Sequence, residues 1–408
     1  PRGAQATAAG APMVNLLITG GLGFLGQQAA RRFLRRGAAL WSPVDRCLKP
    51  LSQLTLFDAG GIPDDLPAEI TQDERVQVKI GDITAEGVPA ELVDEPDMAV
   101  LHLASMVSGD SELNPDRAWE VNVLAQRALL DALAASAPGA RFLFTSSTAT
   151  FGSLPPHAPP DYAAGDGTKQ LPGNTYGFCK VVCELMVNDY ARRGAVDGRG
   201  LRLPVVVVRP GAPNPALTTC WSSAVREPLR GEAATLPVPA DTRLPVASYQ
   251  AAVGAMEELL VHTPARVLGR DRTLTLPSLS LSPAELHAAA ARLAPSLGVE
   301  LGLLAGGGEA ASRGAALLTR SAANRRAARG AGRAGDARGA RDGRTSRRLP
   351  RAQAGAAARR ERRLDRRRVC RGLRRAGRER ARGGAELRAR VGQTEEREVS
   401  MYQVVIQV

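Results

Sequence analysis

The feature that most constrains this chain is a glycine-rich turn set between two elements of different hydrophobic period. Val14–Thr19 (VNLLIT) has the continuous apolar character of a buried strand, and it leads directly into Thr19-Gly20-Gly21-Leu22-Gly23-Phe24-Leu25-Gly26. From Phe24 to Arg36 the apolar residues recur on one helical face. Closely spaced glycines at such a junction let the backbone turn tightly. They also leave the helix N-terminus, with its free N–H groups and positive dipole end, open to a phosphate. The glycines read either as Gly21-Gly23-Gly26 or, in a stricter form, as Gly20-Gly23-Gly26. A glycine string alone is weak evidence; its place between a strand and a helix makes it a dinucleotide site.

The rest of the first half repeats this alternation. Strand candidates follow at Leu54–Asp58, Val76–Ile80, Ala99–Leu103, Arg141–Ser146 and Pro204–Arg209. Helical patterns lie between them, notably over Pro115–Ala135 and Tyr176–Arg193. Strands alternating with helices predict an α/β chain, a Rossmann-type doubly wound parallel sheet covered on both faces. Residues 13–210 are expected to form this nucleotide-binding domain. Beyond Pro210 frequent prolines suggest a smaller, irregular substrate lobe over 211–302, with a capped helix at Ser282–Leu297 marked by Ser282, Pro283 and Glu285.

Charge divides the chain differently. Residues 1–300 hold 26 Lys and Arg against 31 Asp and Glu, a net of −5, whereas residues 301–408 hold 28 Arg, no Lys and 10 acids, a net of +18. The basic balance therefore belongs to the Ala/Gly/Arg-rich segment 303–408, which has too little apolar content to bury a core and is expected to be disordered. It reads as a frame-shifted or mis-spliced translation of a GC-rich gene, the alternative being a basic tail for RNA. A nucleic-acid partner is not expected for the folded part. The Ala-rich stretch 1–12 reads equally as a remnant of an organelle transit peptide or as an untranslated leader ahead of Met13. Five scattered cysteines (47, 179, 183, 220 and 370) have neither disulfide-framework nor metal-ligand spacing. No apolar run is long enough for a membrane span. The cytoplasm or an organelle interior is the expected location, and no metal is expected.

Within the first domain, Asp58 ends the second strand candidate, where a carboxylate accepts the adenosine ribose hydroxyls and repels a 2′-phosphate, favouring NAD over NADP. Its distance from Gly26 exceeds the usual spacing because Trp41–Pro50 looks like an insertion, and Asp45 is a rival. Asp82 and Ile83, after the third strand, are placed near the adenine. Leu103 and Ala104, after the fourth, are placed beneath the cofactor.

Tyr176-Gly-Phe-Cys-Lys180 puts a phenol and an ammonium on one helix face. With five Tyr and four Lys in the chain, chance supplies only about 0.05 such pairs. Tyrosine is a weak base near neutral pH, and an adjacent ammonium stabilises its phenolate. The pair suits removal of a hydroxyl proton while hydride leaves the same carbon. Ser147, with Ser146 as the alternative, ends the preceding strand and is placed to hydrogen-bond the reacting oxygen.

These residues resemble the extended short-chain dehydrogenases, the NAD-dependent epimerase/dehydratase family. TGGLGFLG, LHLAS, FTSSTATFG, YGFCK and VVRPG occur in the family's order over about residues 13–290. The resemblance implies NAD as cofactor, with Gly20, Gly23, Phe24, Leu25, Gly26, Asp58, Asp82, Ile83, Leu103, Ala104, Asn122 and Pro210 facing it. Val107-Ser108-Gly109 and the segments 180–214 and 226–248 imply a member that oxidises the C2 hydroxyl of a four-carbon sugar acid to the 2-keto acid. Arg243 is then the candidate for the substrate carboxylate, with an ion pair to Asp241 or another acid as the competing role. Ser108, Ser147 and Asn214 are candidates for its hydroxyls. A homodimer through Asn114–Ala135 and Tyr176–Arg193 is also implied. Family members continue their substrate lobe beyond residue 300, where this chain turns to Arg and Ala.

Two other classes compete. A nucleotide-sugar epimerase uses the same constellation; a dehydratase typically carries an acidic pair after the serine, where this chain has Thr148-Ala149. A non-catalytic cofactor sensor or RNA binder using the basic tail is the third, and such scaffolds often lose the Tyr/Lys pair that this chain keeps.

Overall fold

The computed structural model describes residues 13–35, 38–153, 162–210 and 217–306. The expected leader (1–12) and nearly all of the expected basic tail lie outside them. The strands are β1 (Val14–Thr19), β2 (Ala39–Trp41), β3 (Leu48–Asp58), β4 (Val76–Ile80), β5 (Met98–His102), β6 (Arg141–Ser147), β7 (Asp197–Leu203), β8 (Val205–Val207), β9 (Ala234–Leu236), β10 (Leu244–Ser248), β11 (Thr273–Thr275), β12 (Leu279–Leu281) and β13 (Leu304–Gly306).

The main sheet has the parallel order β4-β3-β1-β5-β6-β7-β11, with β2 running antiparallel to the start of β3. The chain steps outward from β1 to β3 and β4, then returns to the other side of β1 as β5. At that reversal the carboxyl ends of β1 and β5 diverge from their crossover helices and leave a crevice, the usual ligand position in such sheets. The expected α/β doubly wound architecture is present.

One strand expectation is refined and one is corrected. The Trp41–Pro50 segment, read as an insertion, takes the form of a hairpin: β2 and the first residues of β3 pair in register Ala39 with Pro50 and Trp41 with Leu48. Buried Lys49 anchors it, reaching Asp97 at 2.8 Å and also pairing with Asp45. The sixth parallel strand is β7, not Pro204–Arg209. Asp197–Leu203 (DGRGLRL) lacks an apolar pattern because its arginines are buried with partners. Arg199 is fully buried, held by Asp197 at 2.5 Å and donating to the Thr263 carbonyl at 2.8 Å. The Val-rich run after Pro204 instead forms β8, in a separate sheet with β10 and β12.

One face of the main sheet is covered by the Phe24–Phe33 and Tyr249–Glu257 helices, whose Ala29, Phe33, Ala252 and Met256 join Leu16, Leu54 and Leu101. The other face carries the Ala125–Ser136 and Thr175–Arg192 helices, packed through Leu129, Leu133, Cys183 and Val187 onto Val100, Phe142 and Phe144. A third core joins the Cys220–Leu229 and Pro283–Leu293 helices around fully buried Trp221, whose indole N–H donates to the Leu281 carbonyl at 2.9 Å. The capping box of Ser282 and Glu285 forms as its sequence predicts. Because Tyr249–Glu257 and β11 return to the main sheet, the lobe begun after residue 210 is not one continuous stretch. Among the described residues no helix is long and apolar enough to cross a membrane.

Candidate active site

Thr19 closes β1 and stitches it to β5. Its backbone carbonyl accepts Leu103 N–H at 3.0 Å, its hydroxyl accepts Ala104 N–H at 3.3 Å, and the same hydroxyl pairs with His102 Nδ1 at 2.7 Å. The chain then turns through Gly20 at φ +68°, a left-handed conformation; a Cβ there would lie 2.8 Å from the Ala104 nitrogen. A Cβ on Gly26 would collide with the carbonyls of Gly20 and Gly21. Gly23 is exposed at the mouth of the turn and N-caps the Phe24–Phe33 helix without any side-chain cap or first-turn acid. Phe24 and Leu25 follow it half-buried, Phe24 in edge-to-face contact with Tyr249 at 5.4 Å. The cradle is therefore closed by backbone on its inner side and has donors free on its outer side, which fits a diphosphate. Asp58 ends β3 beside it, its two oxygens accepting Leu22 N–H and Gly60 N–H at 3.1 Å each. Asp45, its rival, is committed to Lys49 in the hairpin.

Across the crevice, Asn174 caps the Thr175–Arg192 helix by accepting Gly177 N–H at 2.8 Å. This helix carries Tyr176, half-buried, and Lys180, 5% exposed, whose ammonium lies over the Tyr176 ring 5.4 Å from its centroid. No carboxylate among the described residues pairs with Lys180. Ser147 ends β6 and starts a short 3₁₀ turn by accepting Ala149 N–H at 3.1 Å. Gly177 brings that turn against the tyrosine helix, since a Cβ there would lie 2.5 Å from the Ala149 carbonyl oxygen. Ser146 is buried and donates to Glu184 Oε1 at 2.5 Å, so of the two serines it is half-exposed Ser147 whose hydroxyl is not tied to Glu184.

Several expected residues have partners within the chain. The Asn122 amide is spent on the loop after β5, accepting from Met106 N–H at 2.8 Å and Ser105 Oγ at 3.0 Å and donating to Met106 O at 3.3 Å. It stands in a π-helical turn, Glu120–Leu124, whose Asn122 carbonyl accepts the Cys183 thiol at 3.0 Å. Asp82 is held by Thr84 and by Arg117 at 2.6 Å; the Thr84 backbone N–H, then its hydroxyl and Arg117, keep its carboxyl below the usual range. Ile83 is buried in the second core. Arg243 takes its competing role: it pairs with Glu285 at 2.6 Å and donates to the Ser280 carbonyl at 2.5 Å on an exposed edge, so both terminal nitrogens of this guanidinium are engaged. Ser108 opens the Ser108–Leu113 helix after the β5 loop, and Pro210 is half-buried after β8. Asn214 lies outside the described residues.

The sequence reading missed His102, Gly177, Glu184 and Arg202. Burial, with the Lys180 charge as a second cause, pushes the His102 imidazole down to about 3. His102 and Gly177 lie inside the LHLAS and YGFCK motifs and Glu184 one helical turn after Lys180, whereas Arg202 has no such signal.

A dinucleotide-type parallel sheet with a glycine cradle on one side of the switch point and a Tyr/Lys helix on the other is the class of architecture these residues define. The model of the NAD dependent epimerase/dehydratase family matches residues 16–242, and the chain belongs to that family. The D-erythronate dehydrogenase of Cupriavidus necator is 41% identical over 282 residues, covering 69% of this chain and 82% of that protein. The D-erythronate dehydrogenase of Haemophilus influenzae is 35% identical over 269 residues, covering 66% and 79%. The crystal structure of the nucleoside-diphosphate-sugar epimerase from Agrobacterium tumefaciens is 32% identical with a TM-score of 0.62, covering 74% of this chain and 84% of that one.

Proposed function

We propose that this chain is an NAD-dependent dehydrogenase that oxidises the C2 hydroxyl of a small sugar acid, D-erythronate or a near relative, to the 2-keto acid. The observation that carries the chemistry is Lys180 seated over the Tyr176 ring on a helix pressed against the Ser147 turn. The two D-erythronate dehydrogenases, aligned over about four-fifths of their length, support the substrate class.

The fit of the cradle supports NAD held by the N–H groups of Phe24 to Gly26, with Asp58 at the ribose hydroxyls, where it disfavours a 2′-phosphate. Bound there, the cofactor supplies the hydride acceptor. Tyr176 takes the proton of the C2 hydroxyl, Lys180 holds its ammonium over the Tyr176 ring, and Ser147 donates a hydrogen bond to the oxygen as it becomes a carbonyl. Ser108 and Asn214 remain candidates for the other hydroxyls. With Arg243 spent on Glu285, the substrate carboxylate needs another partner.

The same reading makes the protein a homodimer working in the cytoplasm or an organelle interior. Trp119 and Phe178 stack at 5.9 Å on the surface, and with Leu124 and Leu185 they leave four large apolar side chains exposed on the two helical segments expected to pair.

The deciding assay is purified protein with NAD and a panel of aldonates, free sugars and nucleotide sugars, monitored for NADH. NADH formation with erythronate supports the proposal. Turnover of a nucleotide sugar without net NADH replaces it with an epimerase.

A further inference from the structure

Beneath the serine turn lies a buried polar knot that the proposed chemistry does not use. Glu184 is 2% exposed and stands one helical turn beyond Lys180. Its Oε1 accepts Ser146 Oγ at 2.5 Å and Arg202 Nε at 2.8 Å; its Oε2 accepts Arg202 Nη2 at 2.5 Å and Gln170 Nε2 at 2.7 Å. Arg202 faces Ser146 across the β6–β7 register and reaches Asp166 Oδ1 at 3.1 Å. Asp166 in turn accepts Thr275 N–H at 2.9 Å and the Thr275 hydroxyl at 2.7 Å.

We propose that Glu184 is the positioning residue of the active site, fixing Ser147 relative to Tyr176 and Lys180. The inference rests on the proposed dehydrogenase reading for which groups react, and on geometry for how they are held. Four structural pieces converge on this one carboxylate: the strand ending in Ser147, the strand beside it, the helix carrying Tyr176 and Lys180, and the 162–174 segment leading into that helix. Ser146 and Ser147 are adjacent in an extended strand, so anchoring one side chain to the helix sets the direction of the other.

A knot serving only to fill space would not need charged groups. A buried ion pair costs desolvation, and apolar side chains of the same volume often serve stability as well or better. What a fully satisfied network adds is directional restraint, because each donor and acceptor accepts only a narrow angle. Arg202 also keeps the site's charge balance, since an unpaired carboxylate one turn from Lys180 would compete with Tyr176 for its ammonium.

The test is Glu184→Gln in the full chain, read in two ways. The expected result is a fall in kcat of roughly tenfold or more, with KM for NAD held within about twofold, since displacing reactive groups by a fraction of an ångström acts on the chemical step. Amide hydrogen exchange is expected to rise in the segments 147–152 and 166–176, with the Phe24–Phe33 helix unchanged. A folded variant with wild-type exchange in those segments overturns the proposal. Should Glu184→Gln not fold, Ser146→Ala removes one tether and no charge, and wild-type kcat and exchange there overturn it equally. If the wild-type protein turns over no sugar acid, the function reading fails alone, because the exchange measurement still decides this one.

Discussion

The carbonyl oxygen of Ala149 stands where the side chain of residue 177 would begin: a Cβ on Gly177 would lie 2.5 Å from it. The serine turn and the tyrosine helix thus meet at this point through backbone, which packs the turn that begins at Ser147 against the helix carrying Tyr176.

Gly177→Ala is therefore expected to force the two elements apart. Overpacking of this kind costs about 1–3 kcal/mol, and the displacement acts on catalysis more than on cofactor binding. Thermal unfolding and steady-state kinetics check both: a lower Tm, and kcat reduced by roughly tenfold or more with KM for NAD little changed.

Ser147→Ala and Ser146→Ala separate the two serines. Ser147→Ala is expected to lower kcat by roughly a hundredfold, the scale of losing one donor to the reacting oxygen. Ser146→Ala is expected to act more mildly, through its tether to Glu184. Equal losses in the two variants would contradict the assignment.

Asp58→Ser tests cofactor choice. With the carboxylate gone, the Leu22 N–H loses its acceptor and the 2′-phosphate loses its repulsion. NAD is expected to bind about tenfold more weakly while NADP gains, so the ratio of kcat/KM for the two cofactors moves toward NADP.

His102 gives the protein a predictable acid sensitivity. The buried ring is pushed from 6.5 down to about 3, so below pH 6.5 the unfolded chain takes up a proton that the folded chain refuses. The contribution is whole above about pH 6.5 and is lost as pH falls toward 3, by up to about 1.4 kcal/mol per pH unit. Denaturant unfolding of wild type and His102→Gln at pH 7 and 4.5 measures it. Wild type is expected to lose about 2 kcal/mol more than the variant over that interval.

Much of this architecture is legible in the chain because local signals agree with one another. The turn from Thr19 to Gly26 announces itself by period and glycine spacing, and Tyr176 with Lys180 by helical spacing. β7 is illegible because Arg199 and Arg202 are buried by virtue of distant partners, the Thr263 carbonyl and Glu184, that only the fold brings beside them. The same physics misdirected Arg243: an unassigned arginine looks available for a carboxylate until Glu285 is seen to hold it. Asn122 likewise reads as a cofactor ligand, yet its amide closes the loop after β5. The positions of polar residues in this chain are legible where a backbone motif fixes them, and illegible where long-range partners do.

The central claim is tested most directly by erythronate carrying deuterium at C2, incubated with the protein and NAD. The account predicts that the label appears in the reduced nicotinamide together with the 2-keto acid, and that both vanish in Tyr176→Phe while NAD binding persists. Retention of deuterium on the sugar acid, or reduction of NAD that survives in Tyr176→Phe, would contradict it.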